Sequence, residues 1–428
     1  MAYPYVSDLE VRVISKYFGD PGQRRIDTYV ERGGYKGLQK ALGLEPDAVT
    51  EEVKASGLRG RGGAGFPTGV KWSFMPKESI RPHYLLCNAD ESEPGTFKDR
   101  VIMEGDPHMM LEGMALASYA IGAEVAYLYI RGEYVLCIER LETALDEAYR
   151  KGYLGRDILG SGFNLDIHMH LGAGAYICGE ETAMLESIEG RRGEPKLKPP
   201  FPAVAGLYEC PTVINNVETL ACLPHIVNRG VEWFRGIGPE QSPGPKLYCL
   251  SGHVQKPGVY ELPMGISLRE LVDDHAGGAR PGRKIKAVIP GGVSAPMIPE
   301  SGLDVTMDFE SLTAIDTMLG SAGVIVLDDG DCIVRAAKNI NEFFHEESCG
   351  KCTPCREGLD WTGKILHRME AGEGRQGDLE QLDFLCGSIF GNSFCALGDG
   401  AAWALKAAIT QFRDEFVQHV EEGRCPFH

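Results

Sequence analysis

The stretch Glu346-Glu347-Ser348-Cys349-Gly350-Lys351-Cys352-Thr353-Pro354-Cys355-Arg356-Glu357-Gly358 constrains this chain more than any other. Its C-x-x-C-x-x-C spacing points three thiolates into one small volume from a single tight loop. An iron–sulfur cluster or a soft metal ion needs such a donor set, because the thiolate and not the thiol is the ligand. A tetrahedral site or a cubane needs a fourth ligand, for which Cys395, Cys386 and His345 are the candidates. A structural zinc site and three free thiols are the competing readings of the spacing alone.

A chain of 428 residues is too long for one ordinary core, so roughly two to four domains are expected. The formal net charge of -18 argues against nucleic acid and anionic membranes as partners, and fits either plain solubility or an acidic docking face. The 13 cysteines are scattered outside the 349–355 group without a disulfide-like pattern, and Met1-Ala2-Tyr3-Pro4 does not read as following a signal peptide. A reducing, cytosolic compartment is expected. The most apolar window, Met110 to Ile130, is interrupted by Glu112 and Glu124 and does not read as a membrane span.

Residues 1–55 read as short helices without chemistry. Gly57-Leu58-Arg59-Gly60-Arg61-Gly62-Gly63-Ala64-Gly65-Phe66-Pro67-Thr68-Gly69 then packs six glycines into 13 residues. Such a loop lets backbone N–H groups approach a phosphate closely, with Arg59, Arg61 and Lys71 adding charge; a mobile turn is the plainer reading. No Gly-Lys-Ser/Thr ending is present, so it is not a nucleotide-hydrolysing P-loop. Tyr84 to Asn88 reads as a buried strand ending in the polar burst Asn88-Ala89-Asp90-Glu91-Ser92-Glu93-Pro94-Gly95, placed where ligands sit in α/β folds. Asp106-Pro107 starts a helix with a core stripe ending at Gly122. Val125–Ile130 is a second strand, Tyr134–Tyr149 a second helix, and the alternating Phe163–Leu171 a third strand with His168 and His170 on a wet face.

That strand runs into Gly172-Ala173-Gly174-Ala175-Tyr176-Ile177-Cys178-Gly179-Glu180-Glu181-Thr182, a G-x-G-x-x-x-x-G spacing longer by two than the dinucleotide fingerprint. Glu180 and Glu181 at the helix start suit either a ligand or the helix dipole. Gly190 to Gly206 is a basic, proline-rich loop with Arg191, Arg192, Lys196, Lys198 and Phe201. Asn215-Asn216 offers two amides for a polar ring or sugar, or simply a turn before a helix. Gly236 to Pro245 reads as a linker. Strands at Lys246–Ser251, Gly258–Leu262, Ala287–Pro290 and Gly323–Leu327 with one short helix, Ser267–His275, suggest a ubiquitin-like α+β module. From Asp331 four amphipathic stripes, ending with Leu405, Ile409, Phe412 and Phe416, predict a helical bundle with the cysteine loop between its first two helices. Cys395 then falls in a joint and Cys386 inside a helix, which favours Cys395. Cys425 reads as a spare surface thiol.

Together the motifs Gly57–Phe74, Cys87–Gly95, Gly172–Glu181, Asn215–Thr219 and Glu347–Gly358, in this order over nearly the whole chain, resemble the NADH-binding flavoprotein (51 kDa, or F) subunits of respiratory complex I. The resemblance implies FMN, an NADH site and one [4Fe–4S] cluster in a multidomain α/β chain. Its expected parts are an N-terminal helical and glycine-rich segment (1–68), a Rossmann-like FMN- and NADH-binding domain (69–240), a ubiquitin-like domain (241–330) and a C-terminal four-helix bundle holding the cluster (331–428). Carried over, FMN contacts fall on Gly60, Gly62, Lys71, Asn88, Asp90, Glu91, Tyr176, Gly179, Asn215, Asn216 and Thr219. NADH contacts fall on Phe66, Phe74, Glu93, Glu180, Glu181, Lys198 and Phe201. Cluster ligation falls on Cys349, Cys352, Cys355 and Cys395.

The implied activity is NADH oxidation, hydride passing directly to FMN without a catalytic side chain, and single electrons leaving through iron–sulfur centres toward quinone. Crowding of Glu93, Glu180 and Glu181 is expected to help NAD+ leave by charge repulsion. The implied partners are a small thioredoxin-like [2Fe–2S] subunit and a large iron–sulfur subunit, with the membrane arm reached only indirectly. The chain would be a peripheral soluble subunit on the cytoplasmic face of the membrane. The same module in a soluble NAD-linked hydrogenase or formate dehydrogenase, and a non-catalytic nucleotide-binding scaffold with structural zinc, are the rival readings.

Overall fold

The computed structural model describes residues 10–427, which divide into two compact units. Within the described residues the first comprises 10–92, 97–249 and 258–266, and the second 93–96, 250–257 and 267–427.

The first unit is built on four parallel strands: β1 (His83–Ala89), β2 (Ala123–Arg131), β3 (Asp166–Gly172) and β4 (Thr212–Asn216). Their order is β3-β2-β1-β4, so chain progression reverses direction between β1 and β4. Leu85, Leu86, Cys87, Leu128, Ile130 and Val213 are buried, as parallel strands covered on both faces must be. The expected third strand starts three residues late, because Leu165 forms an isolated bridge with Gly155 before pairing with β2 begins at Asp166. His168 is exposed and His170 half-buried against Tyr129, at 5.3 Å between rings, in agreement with a wet strand face.

Around the sheet lie α1 (Pro46–Ser56), α2 (Thr68–Trp72), α3 (Lys98–Gly105), α4 (Pro107–Ile121), α5 (Val135–Arg150), α6 (Glu181–Ile188) and α7 (Val217–Arg229). Helix α4 starts as expected, with Asp106 accepting from the Met109 N–H at 3.2 Å and Pro107 in its first turn. It is buried on nearly all sides instead of along one stripe. Its Glu112 is consequently buried too, accepting from the Tyr29 hydroxyl at 2.5 Å and the N–H groups of Tyr35 and Leu38 at 2.7 and 3.1 Å.

The segment 236–245 does not hang free as a linker. Residues 242–245 are buried in the first unit. The guanidinium of Arg61, itself fully buried, draws this segment in by donating to the Pro243 carbonyl at 2.8 Å. A second buried cation site lies nearby. Lys98 and Lys246 reach the Glu218 carboxylate at 3.0 and 2.6 Å, and all three are sealed from solvent. Burial alone would raise the Glu218 carboxyl, but the charges of Lys246, Lys98 and Arg61 outweigh it and hold it at about 2. Burial, reinforced by the Lys98 and Arg61 charges, brings Lys246 down to about 8 against the pull of Glu218.

Strands β5 (Pro245–Gly252) and β6 (Gly258–Pro263) follow, as expected. In the second unit, β7 (Ile285–Ile289) pairs antiparallel with both β8 (Ile298–Pro299) and β9 (Gly323–Asp328). The helix expected at 267–275 is an α-turn, Leu268–Glu270, running into a π-helical turn, Leu271–His275. A second short helix, Phe309–Ala314, lies outside the sequence expectation, although Asp308 accepting from the Ser311 N–H is an ordinary N-cap.

The remaining helices are α8 (Ile333–Glu346), α9 (Thr353–Glu370), α10 (Asp378–Ile389), α11 (Ala396–Gln411) and α12 (Arg413–Glu422). The last expected helix is thus two. Phe412 leaves helical geometry (φ −128°) and turns α12 so that Phe416 and His419 are buried.

Glu218→Ala should destabilise the protein by roughly 3–5 kcal/mol, because it strands buried ammonium groups; chemical denaturation at neutral pH reads this. The pH dependence follows in sign. The folded carboxyl takes its proton at about 2 and the unfolded one at 4.5, so its contribution is complete above 4.5 and is lost as pH falls toward 2. The Glu218→Ala variant should lack this component of acid sensitivity, worth about 3 kcal/mol.

Candidate functional site

Four segments converge at the carboxyl ends of β1 and β4. The glycine-rich segment closes as a hairpin, with the Gly60 N–H donating to the Phe66 carbonyl at 2.9 Å and the Thr68 N–H to the Leu58 carbonyl at 2.8 Å. It is fastened to α7 by the Arg61 N–H, which donates to the Thr219 hydroxyl at 2.8 Å. Gly62 lies so close to the end of β4 that an added Cβ would stand 3.0 Å from Asn216 Cβ. At the end of β1, the Asn88 amide donates to the Gly179 carbonyl at 2.9 Å, joining the strand to the 172–180 turn. An added Cβ on Gly179 would lie 3.5 and 3.6 Å from the Asp90 carbonyl and carboxylate. Asn88 and Asn216 are paired register neighbours across β1 and β4. The point where strand order reverses is where open α/β sheets bind ligands, and Gly62 lets the hairpin backbone approach the end of β4 closely there.

Several predicted contacts prove to be committed to the framework. Asn216 caps α7 by accepting from the Glu218 N–H at 3.0 Å, donates to Asp99 at 2.7 Å and accepts from Lys98 at 3.3 Å. Asn215 accepts from the Trp72 indole at 2.9 Å, a positioning contact that sequence reasoning missed although Trp72 belongs to the same motif as Lys71. The Glu91 carboxylate accepts from the N–H groups of Asp99 and Arg100 at 2.8 and 2.9 Å and from the Tyr134 hydroxyl at 3.0 Å. Burial first, then the Asp99 charge, lifts this carboxyl to about 7. Tyr176 opens the 3-10 turn that ends at Gly179.

The expected ring of positive charge is smaller than the composition suggested. Arg61 is buried away from the loop surface. Arg59 turns back on its own loop, donating to the Gly65 carbonyl at 2.7 Å. Arg191 and Lys196 pair with Glu186, and Arg192 with Glu194. Lys71 donates to Glu181 and to the Ile214 carbonyl, both at 3.0 Å. Lys198 reaches Glu180 at 3.2 Å and Glu181 at 2.6 Å.

Glu180 also caps α6 through the N–H groups of Thr182 and Ala183 at 2.8 and 3.1 Å, so its helix-terminal role is real. Burial would raise the Glu181 carboxyl, but the Lys71 charge, with the Lys198 hydrogen bond and charge, holds it below the ordinary range. These two carboxylates therefore form an alternating chain with lysines and do not simply repel. Phe66 and Phe74 stand exposed with ring centroids 6.1 Å apart, and Phe201 is exposed as well. Glu93 belongs to the second unit, where its carboxylate accepts the Ser294 N–H at 2.7 Å.

The cysteine loop lies at the entrance to α9, with Cys355 in its first turn. Cys352 Sγ accepts the N–H of Phe394 at 3.4 Å, and an added Cβ on Gly398 would lie 3.4 Å from Cys355 Cβ. These contacts bring the segment carrying Cys395 to the loop. Burial pushes the Cys355 thiol up to about 11; the Ser348 hydroxyl, 3.2 Å away, opposes this, while Cys352 and Cys349 add to it. Cys386 instead lies buried in α10 within reach of the charges of Lys406 and Asp383. His345 sits in the last turn of α8.

Soft thiolate donors gathered around one loop fit an iron–sulfur group.

Comparison with known proteins agrees with this geometry. The Nuo51 FMN-binding domain model matches residues 53–225, the SLBB domain 246–333 and the NADH-ubiquinone oxidoreductase-F iron-sulfur binding region 335–419. The F 2 subunit of the NADH-quinone oxidoreductase of Rhizobium meliloti (strain 1021) is 71% identical over 409 residues, covering 95% of this chain and 97% of the relative. The chain belongs to the family of NADH-quinone oxidoreductase F subunits.

The corresponding F subunit of Mycobacterium tuberculosis (strain H37Rv) is 54% identical over 422 residues, covering 97% of this chain and 95% of the relative. A solved NAD+-reducing [NiFe]-hydrogenase in the H2-reduced state superposes with a TM-score of 0.83 at 37% identity, covering 94% of this chain and 67% of that one. As a family member the chain is the NADH-oxidising, FMN- and [4Fe–4S]-containing component of a multisubunit oxidoreductase. It combines a Rossmann-like domain, a ubiquitin-like α+β domain and a helical cluster-binding region. No helix among the described residues is long and apolar enough to cross a membrane.

Asn216→Ala removes both the α7 cap and the Asp99 partner. It should lower stability by about 1–2 kcal/mol, read as a shift of the denaturation midpoint. An unchanged midpoint would mean that Asn216 is not a structural cap.

Proposed function

We propose that the pocket where β1, β4, the glycine-rich hairpin and the 172–180 turn converge holds FMN, and that NADH enters over the exposed aromatic edge beside it. The observation that carries this reading is the close approach of Gly62 to Asn216 at the reversal of strand order, with the Asn88 amide joined to the Gly179 carbonyl beside it. Backbone N–H groups of the hairpin, with Lys71, would meet the FMN phosphate. Asn88, Asp90 and the 176–179 turn would meet its polar sugar and ring edges. Glu91, Asn215, Asn216 and Thr219 would act chiefly by fixing those groups in place. Cys349, Cys352, Cys355 and Cys395 would hold the [4Fe–4S] cluster, and FMN bound at the first site would supply hydride-accepting and one-electron-donating chemistry.

The protein's own work is positioning. Phe66, Phe74 and Phe201 offer faces on which the adenine stacks. Lys198 meets the dinucleotide phosphates only by loosening its hold on Glu180 and Glu181, so binding is weakened and product release eased by an internal competitor. This refines simple carboxylate repulsion: the lysine pairs with the carboxylates when the nucleotide has gone. Glu93, carried over as an NADH contact, retains a separate repulsive role.

The four-part division at 68, 240 and 330 is part of the same reading. So are docking to a small thioredoxin-like [2Fe–2S] subunit and a large iron–sulfur subunit, and a peripheral position on the cytoplasmic face of a quinone-reducing membrane complex. Similarity to the hydrogenase chain supports a second acceptor, a soluble NAD-linked assembly, which copurifying subunits would reveal.

Lys198→Ala should raise KM for NADH about tenfold in ferricyanide reduction while FMN content stays unchanged. Loss of flavin at constant KM would move Lys198 to the flavin site. Glu93→Gln should tighten NAD+ as an inhibitor, and unchanged inhibition would remove Glu93 from the release step.

A further inference from the structure

Cys425 is not a spare surface thiol. Gly423, in the left-handed region at φ +62°, ends α12 and turns the chain back, and Cys425 is buried beside Cys332 and His419. The three ligand atoms lie within 4.8 Å of one another, and all three residues are buried. Cys332 Sγ is 3.2 Å from His419 Nε2.

Two of the three donors are oriented from behind. His419 Nδ1 lies 2.7 Å from the Glu415 carbonyl, which can only accept, so Nδ1 carries the ring proton and the Nε2 lone pair is left facing Cys332. Cys332 is the N-cap of α8 and accepts the Arg335 N–H at 3.3 Å, which fixes its sulfur at the start of the helix. The tail beyond is pinned by Lys286, which lies 4.0 Å from the centre of the Phe427 ring and reaches Glu415 at 3.0 Å.

We propose that Cys332, His419 and Cys425 form a structural site for a soft divalent ion of the zinc class, separate from the iron–sulfur loop. Two thiolates balance the charge of the ion, and the imidazole supplies the third bond. A solvent molecule would complete the fourth position. Binding releases the two thiol protons and changes no oxidation state. The ion would tie the start of α8 to the end of the chain, fastening the outer edge of the cluster-bearing helices.

The test uses the full chain purified with its FMN and cluster and without chelators, loaded with one equivalent of zinc if needed. Metal analysis should find about one zinc per chain beside the cluster iron. X-ray absorption at the zinc edge should show about two sulfurs near ~2.3 Å and one nitrogen near ~2.0 Å. Cys425→Ser and His419→Gln should each lower zinc at least about tenfold while iron and flavin content hold. Zinc that persists in both variants, zinc with four sulfurs, or a zinc-refusing protein with Cys332 and Cys425 free or joined as a disulfide would overturn the proposal. The absorption spectrum of the unmutated protein keeps the test decisive if a variant fails to fold.

Discussion

The structure depends first on the reversal of strand order between β1 and β4. Parallel strands carry their helices away on opposite sides at such a point, leaving a crevice at the carboxyl ends that nothing in the sheet fills. Every segment of the candidate flavin site is placed by this reversal. The polar burst after β1 and the paired asparagines ending β4 share a register, and the glycine-rich hairpin closes against them. The glycines are required by proximity: a side chain at position 62 would press on Asn216.

Beneath the crevice lies a buried charge network that fixes its floor. Lys98 links Asp99, Glu218 and Asn216, while Lys246 shares Glu218 from the other side. Buried ion pairs are seldom a net source of stability, but removing one member is costly. That asymmetry makes the network a device for position: Asn216 cannot rotate without breaking a charged contact. The same logic governs Lys71 and Lys198, whose carboxylate partners Glu181 and Glu180 hold both charges in place.

Much of this was legible in the sequence, and the limits were physical. Strand identity followed from apolar runs, and so did the place of Cys395 in a joint between two helices. Pairing of distant charges was not legible, because nothing local tells that Arg61 turns inward to the Pro243 carbonyl and not outward to a phosphate. The loop at 190–206 looked basic because its acidic partners, Glu186 and Glu189, precede it on α6 and its end. The break at Phe412 preserved the apolar spacing and so left no trace in periodicity. Burial of Cys425 depended on a left-handed turn at Gly423, visible only as one glycine near a helix end.

The central claim is that one chain binds FMN at the strand reversal and reduces it with NADH. Anaerobic addition of NADH to the purified chain, followed through the visible flavin absorbance, tests it most directly. Bleaching of the flavin by NADH, with about 1.5 equivalents needed to supply the two electrons of FMN and the one of the cluster, is the expected result. Bound flavin that NADH leaves oxidised would contradict the nucleotide assignment, and a chain that holds no flavin would contradict the site itself.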